Sequence, residues 1–162
     1  MRMKHDGIAF SVAALLAIFG SLNAYAHGGE QHGDAVYGHP GQAKDVTRTI
    51  KILASDYAFD PTVLNFAKGE TIRFVVSNAS KRMHELTIGD AETQMAHRKS
   101  MAQMADMKHD EGEHEMPNNA VHVKPGETRE LIWTFTSSGE LQFACNYPGH
   151  SDLGMEGKIS VK

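Results

Sequence analysis

From residue 46 to the C-terminus, apolar residues recur at every second position in short runs separated by turn residues. "TRTIKILAS", "TIRFVVSN", "TRELIWTF" and "ELQFACN" all read as strands, with "TVLNF", "HELTIG", "AVHV" and "GKISVK" as shorter ones. Ile72, Phe74 and Val76 share one face, as do Leu131, Trp133 and Phe135. "KGE", "KPGE" and "SSG" supply the turns between them. Strands this short, at this spacing, bury their apolar faces only by stacking two sheets. Seven or eight of them predict an all-β, Greek-key β-sandwich. "KGETIRF" and "PGETREL" resemble each other in turn chemistry alone, which does not amount to an internal duplication.

One segment departs from the pattern. Residues 90–119 hold five methionines and three histidines, and their first two-thirds are helix formers without Gly or Pro. His97, Met101 and Met104 fall on one helical face at i, i+4 and i+7. Gly112, Pro117 and Asn118-Asn119 end the segment, so it reads as a part-helical insertion between two strands.

The N-terminus has the layout of a secretory leader. Arg2 and Lys4 precede the apolar run Ile8–Phe19, and Ala24-Tyr25-Ala26 fits a cleavage site. The run is too short for a comfortable membrane span. Residues 1–26 are therefore expected to be removed and the remainder exported to the periplasm. Residues 27–45, rich in Gly and His, read as a flexible tail, and residues 46–162 as the folded domain. With Arg2, Lys4 and Asp6 gone, 14 basic residues face 19 acidic ones, a balance that argues against a nucleic-acid partner.

Export makes the single cysteine informative. Exported chains use cysteine mostly in pairs, so a lone one points to a free thiol, an intermolecular bridge or a metal ligand. Cys145 ends an apolar strand. His150 and Met155 follow it, with four residues in each gap, and Pro148, Gly149 and Gly154 allow the loop to turn. Thiolate, imidazole and a weak axial thioether are the donors of a type 1 copper site, which needs a second imidazole. His84, well upstream at the start of a strand, is the best candidate. Zinc is a rival, but structural zinc sites favour more cysteines and a thioether ligand would be unexpected. Taken singly, Cys145 also fits a buried structural thiol and Met155 core filling.

"MHELTIG" followed by "CNYPGHSDLGMEGKISVK" resembles the cupredoxin family of small blue or green copper proteins, over residues 46–162 apart from the insertion. The resemblance implies one type 1 copper bound by His84, Cys145, His150 and Met155. It also implies electron transfer through the ring of His150, beside an apolar docking patch that includes Tyr147 and Pro148. Many family members place Asn directly after the upstream histidine to tie the two ligand loops together. Here that residue is Glu85, a departure that bears on potential and colour and not on the copper. The Met155 distance decides between blue and green.

The insertion's Met95, His97, Met101, Met104, Met107, His109, His114 and Met116 form a candidate second copper region, since thioethers suit Cu(I) and imidazole takes either oxidation state. Packing of one methionine stripe on the sandwich is the equal alternative. His27, His32 and His39 form a candidate N-terminal Cu(II) site, against a merely solvated tail. A Met/His-rich insertion with a His-bearing N-terminus resembles the periplasmic copper-tolerance branch of the family, the CopI type. The expected function is copper tolerance through electron transfer, copper binding or both, more a binding and electron-transfer role than an enzyme's. A redox partner such as a cytochrome or oxidase is implied. The alternatives are a plain respiratory carrier and a cuprous oxidase using a second copper. A multicopper oxidase would need His-x-His pairs and a CuA centre two cysteines, and the chain has neither.

Overall fold

The computed structural model describes residues 36–106 and 117–162. Ten strands and one helix follow in chain order: β1 (Gly38–Pro40), β2 (Arg48–Ser55), β3 (Ala58–Asp60), β4 (Val63–Phe66), β5 (Thr71–Asn78), β6 (His84–Gly89), α1 (Ala91–Asp106), β7 (Ala120–Val123), β8 (Thr128–Phe135), β9 (Gly139–Ala144) and β10 (Glu156–Val161). They form two five-stranded sheets, β1-β8-β5-β2-β3 and β4-β10-β9-β6-β7. Most neighbours run antiparallel, but β2 lies parallel to β5 and β4 parallel to β10. The result is the β-sandwich that the alternation predicts.

The core lies between the sheets. Ile72, Phe74, Val76, Leu131, Trp133 and Phe135 are all buried there, as their shared faces require. Aromatic rings fill its centre: Phe66 stacks on Phe135 at 5.0 Å, and Phe74 meets both rings edge-on. Gly157 on β10 faces Phe143 on β9, and an added Cβ would come within 2.1 Å of that ring. Gly157→Ala is expected to cost about 1–3 kcal/mol by forcing the ring aside. Urea denaturation of the metal-free protein measures it.

The folded domain starts earlier than residue 46. Residues 38–40 pair with Trp133–Phe135 of β8, and residues 43–45 form a 3-10 turn. Tyr37 is buried against Trp133 and donates its hydroxyl to the Ile88 carbonyl at 3.2 Å. Residues 36–45 are thus part of the sandwich and not of a loose tail. One anchoring aromatic supplies the burial that the Gly/His composition conceals. Residues 1–26, expected to be a leader, lie outside the described residues.

The insertion starts as a helix because Asp90 caps it: the Thr93 N–H donates to Asp90 Oδ1 at 2.8 Å. The helix α1 packs on β6 and β9. This covers the outer face of β6, and all six of its residues are buried. Gln94 and Met101 face the sandwich, while Met95 projects into solvent. Among the described residues no helix is long and apolar enough to cross a membrane.

Candidate metal centre

Two segments deliver the candidate ligands to one end of the second sheet. The first is the loop after β5. Buried Asn78 donates from Nδ2 to the carbonyls of Arg82 and Val123, and its Oδ1 accepts the Ser80 N–H, which folds the chain so that His84 opens β6. The second is the loop between β9 and β10. Gly149 and Gly154 take φ of +83° and +97°, conformations that favour glycine. The Met155 N–H donates to the His150 carbonyl at 3.1 Å, and the Cys145 N–H to the Met155 carbonyl at 3.0 Å. These bonds fold the loop back so that its two ends meet beside His84.

The ligand atoms of His84, Cys145 and His150 all lie within 4.8 Å of one another. Cys145 Sγ stands 3.3 Å from His150 Nδ1 and 3.8 Å from His84 Nδ1. A thiolate at about 2.3 Å and an imidazole at about 2.0 Å, roughly 120° apart on one ion, would stand about 3.7 Å from each other. The three residues therefore fit a trigonal site of two nitrogens and one sulfur. Met155 is fully buried in the same core cluster as Cys145.

The surroundings prepare these donors. Burial, then the neighbouring His150, holds His84 below the usual imidazole range; burial, then Arg82, does the same for His150. Both rings are thereby kept neutral, as ligands must be. His84 Nε2 lies 2.8 Å from Ser80 Oγ. With the proton on Nε2 for that bond, Nδ1 turns its lone pair toward the sulfur. Burial pushes the Cys145 thiol up to about 12, so an ion must displace its proton. His84 and Cys145 are buried, while His150 is partly exposed between the rings of Tyr57 (5.1 Å) and Tyr147 (5.8 Å). Leu153 stands exposed on the same loop.

Glu85 keeps the tie between the two ligand segments. Its Oε1 accepts the Asn146 N–H at 2.9 Å, directly after Cys145, and the Thr87 hydroxyl at 3.2 Å. His122 Nε2 lies 3.0 Å from Oε2, and His97 Nε2 lies 3.2 Å from each oxygen. Burial alone would raise this carboxyl; the bonds from His122, His97 and Asn146 outweigh it and hold it down at about 2. An ionised carboxylate only accepts, so both imidazoles carry their proton on Nε2. From α1, Gln94 Nε2 donates to the Thr87 carbonyl at 2.8 Å, and Gln94 Oε1 accepts from Asn146 Nδ2 at 2.9 Å.

Among the described residues, the other sequence candidates are not drawn into the His84 group. Met101 is buried on the sandwich, as packing requires, Met104 is half-buried and Met95 is exposed. His97 turns to Glu85 instead. His39 lies in β1 opposite Thr134. His27, His32, Met107, His109, His114 and Met116 lie outside the described residues. Sequence reasoning passed over His122 and Gln94. The one available signal for His122 was a histidine inside an otherwise apolar strand.

The chain is similar to known proteins over most of its length. The family described as copper binding proteins of the plastocyanin/azurin type matches residues 46–162. A copper-resistant cuproprotein CopI of Rubrivivax gelatinosus is 39% identical over 145 residues, covering 88% of this chain and 82% of that protein. Its counterpart from Pseudomonas aeruginosa is 35% identical over 174 residues, covering 93% and 95%. Among solved structures, auracyanin B superposes with a TM-score of 0.62 at 18% identity, covering 79% of this chain and 99% of its own. Auracyanin A from Chloroflexus aurantiacus, a "blue" copper protein, does so with a TM-score of 0.55 at 26% identity, covering 70% and 98%.

Proposed function

The chain belongs to the copper-binding plastocyanin/azurin family, and from that premise we propose that it is a periplasmic type 1 copper protein of copper tolerance, with His84, Cys145, His150 and Met155 as its ligands. The observation that carries this reading is the convergence of the Cys145 and His150 ligand atoms, from a loop closed at Met155, with that of His84 from β6, all within 4.8 Å. Copper held there supplies one-electron chemistry. The chain's own part is to hold four donors on a rigid sandwich, so that little has to move when the charge changes. His150 is the partly exposed ligand, and with Tyr147 and exposed Leu153 it offers the docking face for a cytochrome or oxidase. Copper tolerance is the role that the names of the two CopI relatives carry, and the leader at residues 1–26 supports export.

A specific observation favours a second reading, cuprous oxidation. The insertion is fastened to both ligand segments: His97 bonds Glu85, beside His84, and Gln94 bonds Asn146, beside Cys145. A plain carrier has no need of this. In this reading thioethers of the insertion would hold Cu(I) as substrate; Met95 and Met104 lie on opposite faces of α1, so they would not share one ion. Copper held by Cys145 would accept one electron from such Cu(I), and His150, the partly exposed ligand, would offer the way out to a partner.

The test adds Cu(I) anaerobically to the oxidised protein and follows loss of its visible band. Because Gln94 and Met101 are buried, thioethers should be replaced and the helix left in place. M95L/M104L/M107L/M116L is expected to keep the spectrum and to bleach at least tenfold more slowly. Equal rates would leave the plain-carrier reading. A wild-type protein without an intense visible band would remove the type 1 assignment itself.

A further inference from the structure

Glu85, His97 and His122 are brought together from β6, α1 and β7, outside the His84/Cys145/His150 group. Glu85 and His122 are directly opposed across two antiparallel strands, and His97 reaches them from the helix. Oε1 accepts the Asn146 N–H and the Thr87 hydroxyl, His122 Nε2 meets Oε2 at 3.0 Å, and His97 Nε2 stands 3.2 Å from both oxygens. Glu85 is fully buried and the His97 side chain is 12% exposed, but that of His122 is 30% exposed, which opens a path from solvent to the cluster.

The two imidazoles satisfy Oε2 and keep the carboxylate ionised, and the same three side chains are a 2-His-1-carboxylate donor set. Ligands about 2.1 Å from one ion and about 90–100° apart stand about 3.0–3.2 Å from each other. The two Nε2–Oε2 separations are 3.0 and 3.2 Å.

We propose that Glu85 Oε2, His97 Nε2 and His122 Nε2 form a second metal site for a borderline divalent cation, of the Cu(II) or Zn(II) class. The set contains no sulfur, which separates it from the Cys145 centre and from the thioethers of the insertion. Among the described residues only His84, Cys145 and His150 have all three ligand atoms within 4.8 Å of one another. At Glu85 the imidazoles meet the carboxylate and not each other, so the ion draws them in. His122, the most exposed of the three, is the one free to swing. Each imidazole moves its proton from Nε2 to Nδ1, with no net change, and water fills the remaining positions. Because Glu85 also holds the Asn146 N–H beside Cys145, loading this site perturbs the type 1 spectrum.

The experiment titrates Zn(II) into full-length protein whose type 1 centre already carries copper. Bound zinc is counted and the visible band followed. Wild type is expected to bind zinc with a shift of the band. His97→Gln and His122→Gln keep an N–H donor for Glu85 but lose the ligand. Each should weaken this zinc at least tenfold and abolish the band shift, while the type 1 band itself survives as proof of folding. His114→Gln should change neither. Zinc binding and band shift unaltered in the two glutamine variants would overturn the proposal, and so would a wild type that takes up no zinc.

Discussion

Cys145→Ala is expected to abolish the intense visible absorption of the copper-loaded protein and most of the stability that copper confers. The sulfur belongs to the only cysteine in the chain and stands between both Nδ1 atoms, at 3.3 and 3.8 Å. Without it the remaining donors are two imidazoles and a thioether, a set with no anionic charge for the ion and no sulfur-to-metal transition. An ion present at a thousandfold above its Kd stabilises the fold by about 4 kcal/mol. For a domain of this size that is on the order of 10 °C in Tm. Thermal unfolding with and without copper should show a rise of that order in wild type and little in Cys145→Ala. Metal-free Tm values are the control, because removing a small buried side chain lowers both curves together. Met155→Leu supplies the contrast. A weak axial donor sets the potential more than it holds the ion, so this variant should keep the absorption and change the potential. An intense band surviving in Cys145→Ala would show that the thiolate is not a ligand and that the type 1 assignment is wrong.

What could be read from the sequence follows the range of the interactions. The long strands β2, β5 and β8 were legible because alternation is local, and Ile72, Phe74 and Val76 are buried as their spacing demands. β1 and β3 were not, since three-residue strands such as Gly38–Pro40 carry no periodicity and owe their place to pairing with distant partners. The donor types were legible in the same way: Cys145, His150 and Met155 belong to one loop, and the chemistry of copper asks for one more imidazole. The Glu85 cluster was hidden. Its members are separated by 12 and 37 residues, and only the register of β6 against β7 sets Glu85 opposite His122. At the sequence level Glu85 was a departure from the family's asparagine. In the fold it makes the same loop-to-loop bond and adds two more, so the substitution brings new partners to the site without giving up the tie.

Glu85→Ala is expected to be the most damaging single change outside the copper ligands, costing about 3–5 kcal/mol in the metal-free protein. It removes the acceptor of the Asn146 N–H, the Thr87 hydroxyl and two imidazoles at once, and the first two of these donors are fully buried. The pH dependence separates charge from shape. The carboxyl sits at about 2, against an ordinary value of 4.5. A depressed folded value adds stability that is complete above about pH 4.5 and is lost as pH falls toward 2. The size follows from the shift, about 3 kcal/mol. Glu85→Gln keeps an oxygen for the Asn146 N–H but has no charge to lose. Urea denaturation of the metal-free proteins between pH 6 and pH 3 should therefore bring wild type toward the glutamine variant as acid is added, with Glu85→Ala below both at neutral pH. Parallel curves for wild type and Glu85→Gln would mean that the carboxylate is not ionised in the fold, and the His97 and His122 bonds would then need another explanation. Copper-loaded samples add a second readout. With the Asn146 N–H released, the main chain beside Cys145 is no longer fixed relative to His84, and the visible band of Glu85→Ala should broaden while that of Glu85→Gln stays sharp.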